Sequence, residues 1–247
     1  MLDLHQLVWV SYVSVERNLV ISILKLTKNG VALNEDVNRD AHLPSTVAYK
    51  LLQKMQSDDL INLQDGTIKT ETTGRLQLAV KAITLGADIE VISNLLCWQE
   101  FEEIAAYALK NNGYDVQKNV RFKHGGRRWE IDVVGCKKPL VVCIDCKHWG
   151  HAIAASALTK IVDSQVDRTD AFADFLPNPK LQIPCSKWEK AKFVPVVLSL
   201  VQGAYKFVHE VPVVPVLRLQ DFINQLPLYT EELKVYPKTF PSLSHDL

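Results

Sequence analysis

Residues 129–149 read WEIDVVGCKKPLVVCIDCKHW. Two runs rich in Val, Ile and Leu flank a short turn, the pattern of an antiparallel hairpin. Acids and a lysine interrupt these apolar runs: Glu130 and Asp132 in the first, Asp145 and Lys147 in the second. Side chains alternate between faces along a strand, so Glu130 shares a face with Asp132, and Asp145 shares one with Lys147. With Cys136–Pro139 as the loop, Glu130 lies opposite Asp145, and Asp132 is its diagonal neighbour about 7–8 Å away. Another loop length would shift that register.

Charges buried in such a stretch cost several kcal/mol each unless something offsets them. A divalent cation does so, and hard carboxylate oxygens suit Mg²⁺ or Mn²⁺ better than zinc. Mg²⁺ keeps several waters, which leaves room for a phosphate oxygen and an attacking water. Lys147 beside such a cation needs anionic company. It can pair with the carboxylates at rest, hold the attacking water and balance charge on a phosphate. Carboxylate, carboxylate and lysine around a metal is an arrangement that cleaves phosphodiesters. Each residue taken alone also reads as a solvated strand end.

The elements around the hairpin support a mixed sheet between helices. WQEFEEIAAYALKNNGY (98–114) is a helix with Phe101, Ile104, Ala105, Ala108 and Leu109 on one face, stopped at Asn112-Gly113. With Phe101 at zero and about 100° per residue, Glu102 falls at the edge of the apolar arc and Glu103 on the opposite face. Strand-like DVQKNVRF (115–122) precedes the hairpin. A helical stretch from Ile153 to Phe175 follows it, then KFVPVVLSLV, HEVPVVPVLRL and a short helix, LQDFINQL.

Asp132, followed thirteen residues later by Asp145-Cys146-Lys147, resembles the core of the PD-(D/E)XK nuclease superfamily. The strands EIDVVG and LVVCIDCKHW look like its core hairpin. FEEIAAYALKNNGY is similar to the Mrr-type restriction enzymes and archaeal Holliday-junction resolvases, in which a glutamate sits eleven residues before the helix-ending glycine. Here that residue is Glu102, before Gly113. The resemblance spans about residues 98–226. It implies a restriction endonuclease-like α/β fold and Mg²⁺ or Mn²⁺ held by Asp132, Asp145, Glu102 and the carbonyl of Cys146, with Lys147 as a catalytic amine. It departs from the common pattern at Ile131, where a proline is usual, and at Asp145, where glutamate or glutamine is frequent. Gln165 on the following helix is a further catalytic candidate, because several relatives use a polar residue there; Lys160 is a weaker one. Glu130 is either an extra ligand or a partner for a basic residue. His148 reads as a surface or packing residue, and Trp149 as packing or a surface on which a base stacks.

Residues 118–128 hold Lys118, Arg121, Lys123, Arg127, Arg128 and His124 with no acid. A hairpin tip carrying HGGRR is placed to grip phosphates, which positions nucleic acid without reading bases. Arg121, Lys123, Arg127 and Arg128 are the candidates; a solvated loop is the alternative.

The half before the nuclease-like region reads as mostly helical. Apolar residues recur at helical spacing from Val13 to Leu26, and Asn29-Gly30 is a stop. NEDVNRDAH and LPSTVAYKLLQKMQSDDLI follow as helices, INLQDGTIKTE as a hairpin turning at Asp65-Gly66, and a last helix begins near Thr73-Gly74. Residues 14–83 thus resemble a winged helix-turn-helix module, the LPSTV and TTGR phrases included. In such modules the second helix of the pair enters the major groove, which here exposes Ser45, Thr46, Tyr49, Lys50 and Gln53. Packing or dimerisation is the alternative use. The expected domains are 1–96, winged helix, and 97–247, nuclease-like.

The 247 residues suffice for one large or two small domains. No run approaches the ~18 uncharged apolar residues of a membrane span. The start, MLDLHQLVWVSYVSVERN, has no basic segment or cleavage site, which points to the cytoplasm. The five cysteines are odd in number and irregularly spaced, against a disulfide framework. Cys143 and Cys146 point to opposite strand faces and cannot grip one metal. A formal net charge of zero neither supports nor excludes nucleic acid. The expected partner is DNA, with no membrane, and a homodimer is the assembly that cutting both strands would call for. The alternatives are a DNA-binding protein with an inactive nuclease-like half, and a protein-interaction module.

Overall fold

The computed structural model describes residues 4–147, 153–199 and 203–241. The chain forms two units, Met1–Glu100 and Phe101–Leu247. The division falls inside a helix, a few residues past the expected boundary at 96/97.

In the first unit, α1 (Leu4–Leu26) leads through β1 (Ala32–Leu33) to α2 (Asn34–Asp40) and α3 (Ser45–Ser57). Then come β2 (Asn62–Gln64), β3 (Thr67–Lys69), α4 (Thr72–Thr84) and α5 (Ile89–Leu95). Helix α1 starts nine residues before the expected Val13, since no glycine or proline interrupts the segment. Strand β1 was not expected, because two residues carry no periodicity. Tertiary pairing makes it a strand: Ala32 lies across from Ile68 and Leu33 across from Thr67, which gives a small sheet of order β1-β3-β2. Leu19, Ile23, Leu24, Leu52, Met55, Ile68 and Leu78 are fully buried.

Two features of the TTGR phrase have a structural reason. A Cβ on Gly74 would stand 2.4 Å from the Leu60 carbonyl oxygen, so only glycine fits there. Arg75 is buried and fully engaged. Its Nε donates to Glu100 Oε1 at 2.5 Å, its Nη1 to Leu24 O and Thr27 Oγ1, and its Nη2 to Leu95 O. Glu100 Oε2 in turn accepts from the Cys97 amide at 2.7 Å.

The second unit takes up α6 (Trp98–Asn111) from Phe101 onward, followed by β4 (Asp115–His124), β5 (Arg127–Lys137) and β6 (Leu140–Lys147). Next are α7 (Ala155–Phe175), β7 (Lys190–Ser199), β8 (Phe207–Val208), β9 (Val211–Pro215), α8 (Leu219–Tyr229) and β10 (Tyr236–Thr239). Among the described residues the sheet runs β4-β5-β6-β7-β9-β8, with β10 on β7. The β4-β5-β6 meander is antiparallel, whereas β6, β7 and β9 run parallel. This is a mixed α/β sheet flanked by helices, as expected.

Helix α6 ends where expected, at Gly113 with φ 76°. The Gly113 amide bonds Lys110 O and the Tyr114 amide bonds Leu109 O, the paired bonds of a Schellman stop. Leu109 then lies over Gly135 of β5, where a Cβ would come within 2.8 Å of it. Phe172 and Ala173 from α7, and Leu176 just past its end, join a core cluster with Val134, Val141, Cys143 and Phe193. Strand β6 is buried from Leu140 to Asp145, which explains its unbroken apolar run. No described helix is long and apolar enough to cross a membrane.

Candidate active site

The hairpin register differs from the expected one by two residues. Strand β5 continues to Lys137, which pairs with Leu140, so the turn is Lys138-Pro139 alone rather than Cys136–Pro139. Cys136 and Lys137 stay in the ladder, opposite Val141 and Leu140. Continuing from Val133 opposite Ile144, the register sets Asp132 directly across from Asp145. Glu130 is therefore not the partner of Asp145. It pairs instead with Arg121, 3.0 Å away, on the next strand.

Asp132 Oδ2 accepts the Cys146 backbone N–H at 2.7 Å, a bond that crosses the hairpin. Burial raises the Asp132 carboxyl above its ordinary range; the Cys146 amide works against that rise and nearby Asp145 adds to it. Asp145 is buried. Its Oδ1 accepts from Lys147 Nζ at 3.0 Å and from Arg168 Nη1 at 2.5 Å. Nζ lies 2.9 Å from Oδ2 too, so the ammonium spans both carboxylate oxygens.

Glu102 is 5% exposed, deeper than the edge of the apolar arc would suggest. Its carboxyl is raised by burial first and by Asp132 second, while a hydrogen bond from Asn119 opposes the rise. Asn119 lies where the β4–β5 ladder lapses, opposite Asp132, with pairs intact on both sides. Its φ is 53°, a left-handed conformation that asparagine tolerates better than most residues. The sequence reading missed Asn119, because a single polar residue in an alternating strand carries no special signal. Glu103 was placed on the solvent face. It is partly exposed there and pairs with Lys118.

Gln165 does not open onto the site as expected of a catalytic group. It is fully buried, with Nε2 donating to Cys143 O at 2.7 Å and Oε1 accepting from Arg168 at 2.8 Å. Both ends of its amide are thus committed to the fold. Lys160 is exposed on the same helix. His148 and Trp149 lie outside the described residues. Burial, with Asp132, Asp145 and Glu102 nearby, pushes the Cys146 thiol well above its ordinary range.

Among the described residues, no three His, Cys, Asp or Glu side chains are gathered closely enough to hold an ion. Asp145 is turned to its two cations and Asp132 to an amide. The donors are nonetheless hard oxygens, and the Lys147 ammonium that faces the buried Asp145 Oδ2 stands where a cation's charge would be welcome, so the residue set suits Mg²⁺ or Mn²⁺.

The β4–β5 hairpin turns at Gly125 and Gly126, both at positive φ, with His124 paired to Arg127. Lys123, Arg127 and Arg128 are exposed at this tip, and the Arg127 guanidinium sits 4.1 Å over the Trp129 ring. Arg121 is exposed as well but tied to Glu130. In the first unit Ser45, Thr46, Tyr49 and Lys50 are all exposed on α3, and Gln53 Nε2 donates to Tyr49 Oη at 2.8 Å.

The mixed α/β sheet flanked by helices is consistent with a nuclease-like fold. Residues 98–184 match the family described as NERD, nuclease-related domain. An uncharacterised protein of Archaeoglobus fulgidus is 26% identical over 136 residues, covering 55% of this chain and 95% of that protein. The chain also resembles a crystallised protein of unknown function, AF1548, with a TM-score of 0.26 and 17% identity over 42% of this chain and 48% of the other. The protein VC1899 from Vibrio cholerae gives a TM-score of 0.37 and 13% identity over 91% of this chain and 54% of its own. The chain spans about half the length of each crystallised protein, and neither score carries weight. The family match supports a nuclease-related function.

Proposed function

We propose that this protein is a Mg²⁺- or Mn²⁺-dependent endonuclease that hydrolyses phosphodiester bonds in DNA. One observation carries the reading: Asp132 lies across the hairpin from Asp145, with Lys147 bonded to the latter. Asp132, Asp145, Glu102 and the Cys146 carbonyl would hold the cation. When bound, it would supply positive charge to the phosphate and make water a better nucleophile. Lys147 would orient the attacking water and balance charge on the phosphate. Lys123, Arg127 and Arg128 would hold the backbone at the hairpin tip, where Arg121 would have to leave Glu130 to join them. The first unit would act as a winged helix-turn-helix, presenting Ser45, Thr46, Tyr49 and Lys50 of α3 to the major groove. Two copies would cut two strands. We place this activity in the cytoplasm.

Purified protein with DNA and Mg²⁺ or Mn²⁺ is expected to nick or cut. Asp145→Ala and Lys147→Ala should each reduce the rate at least ~100-fold, in the range of losing a key electrostatic group. Cleavage that survives both substitutions would refute the mechanism. A second reading, a DNA-binding protein whose nuclease-like unit does not cut, is favoured by the absence of three converging ligand side chains among the described residues. DNA retention in EDTA with no cleavage under any divalent metal would establish it.

A further inference from the structure

Arg168 on α7 carries no motif, yet its surroundings define a role. Its side chain is 18% exposed. The buried Gln165 amide fixes it from behind, since Cys143 O requires the Gln165 NH₂ group and leaves Oε1 to face Arg168. The same Nη1 that donates to Gln165 Oε1 donates to Asp145 Oδ1. Asp145 is therefore gripped by two cations, one from its own strand and one from α7. A divalent ion at Asp145 would stand within a few ångströms of that guanidinium, where like charges repel strongly.

We infer that Arg168 is a resident counter-ion that competes with the divalent cation for Asp145 and turns to the DNA phosphate when the cation takes its place. The inference rests on the proposed reading of Asp145 as a cation ligand. Arg168 balances the buried negative charge of Asp145 while no divalent cation is bound. On release it keeps its hold on Gln165 Oε1, so the guanidinium stays at the edge of the site. Its planar fork suits two phosphate oxygens better than an ammonium does. Gln165 is then a positioning residue acting through Arg168, which accounts for its complete burial.

Mn²⁺ binding to the full chain, measured by calorimetry without DNA, separates this role from a structural one. Arg168→Ala should bind Mn²⁺ roughly tenfold more tightly, as expected when one nearby unit charge is removed. Arg168→Lys keeps the charge and should stay within about twofold of the unaltered chain. Both should cleave DNA more slowly at saturating Mn²⁺, because the bidentate contact is lost. Should Arg168→Ala fail to fold, Arg168→Gln carries the same expectation of tighter binding. Mn²⁺ affinity unchanged or weakened in Arg168→Ala or Arg168→Gln overturns the inference and leaves the nuclease reading intact. Full cleavage rates in Arg168→Ala at saturating metal also overturn it. An unaltered chain that binds no Mn²⁺ overturns both.

Discussion

Asp132 and Glu102 are both held above the ordinary carboxylate range, chiefly by burial and further by neighbouring acids. A raised value means that the folded protein holds these protons more tightly than the unfolded chain does. The resulting stability is fully present below the ordinary carboxylate range and is lost as pH rises through the raised values. At neutral pH, without a divalent cation, the ionised acids therefore weaken the fold. Asp132→Asn and Glu102→Gln keep the acceptors for the Cys146 and Asn119 donors while removing the charge. Each should raise the melting temperature at pH 7 by a few degrees, and the gain should fade near pH 4, about where unperturbed carboxyls take up protons. Melting curves in EDTA at both pH values check this; an equal or lower melting temperature at pH 7 would sink it. At this scale the sequence made Asp132, Asp145 and Lys147 visible because a charged residue inside an apolar strand is conspicuous. Arg168 and Asn119 were invisible because their roles come from partners far away in the chain.

Elements were legible wherever a period ran long enough. The helices α3, α6 and α7 and the strands of the central meander follow apolar patterns that their own residues carry. Strands β1, β8 and β10 and helix α5 did not, because two to seven residues give no period and owe their form to neighbours. The hairpin register was misjudged for a related reason. Cys136 and Lys137 look like loop residues in isolation but remain paired because β6 offers them partners. Gly74 belongs to this scale too. A methyl group there meets backbone, which cannot swing aside as a side chain would. Gly74→Ala should destabilise the first unit by about 1–3 kcal/mol or more, despite alanine's better helix propensity. Urea denaturation followed by circular dichroism measures it, and a stabilised variant would contradict the packing.

Over the whole molecule, a net charge of zero conceals local bias, and only positions reveal it. Of the basic residues near the β4–β5 hairpin, Lys118 and Arg121 are offset by Glu103 and Glu130, whereas Lys123, Arg127 and Arg128 are exposed at the tip. If these three touch phosphates, replacing all of them by alanine should shrink the slope of log affinity against log salt by about 0.9 per lost contact on duplex DNA. Fluorescence anisotropy across a salt series gives that slope, and an unchanged value would remove the hairpin from the interface. The sequence by itself determined the helices and strands that its own periodicity marks, the mixed sheet they build, and the acids and lysine near its hairpin. Tertiary structure alone decided that Asp132, not Glu130, opposes Asp145, that Gln165 is buried, and that Arg168 holds the carboxylate. Periodicity is a local property of the chain, whereas register and ion pairing depend on which distant segment arrives alongside.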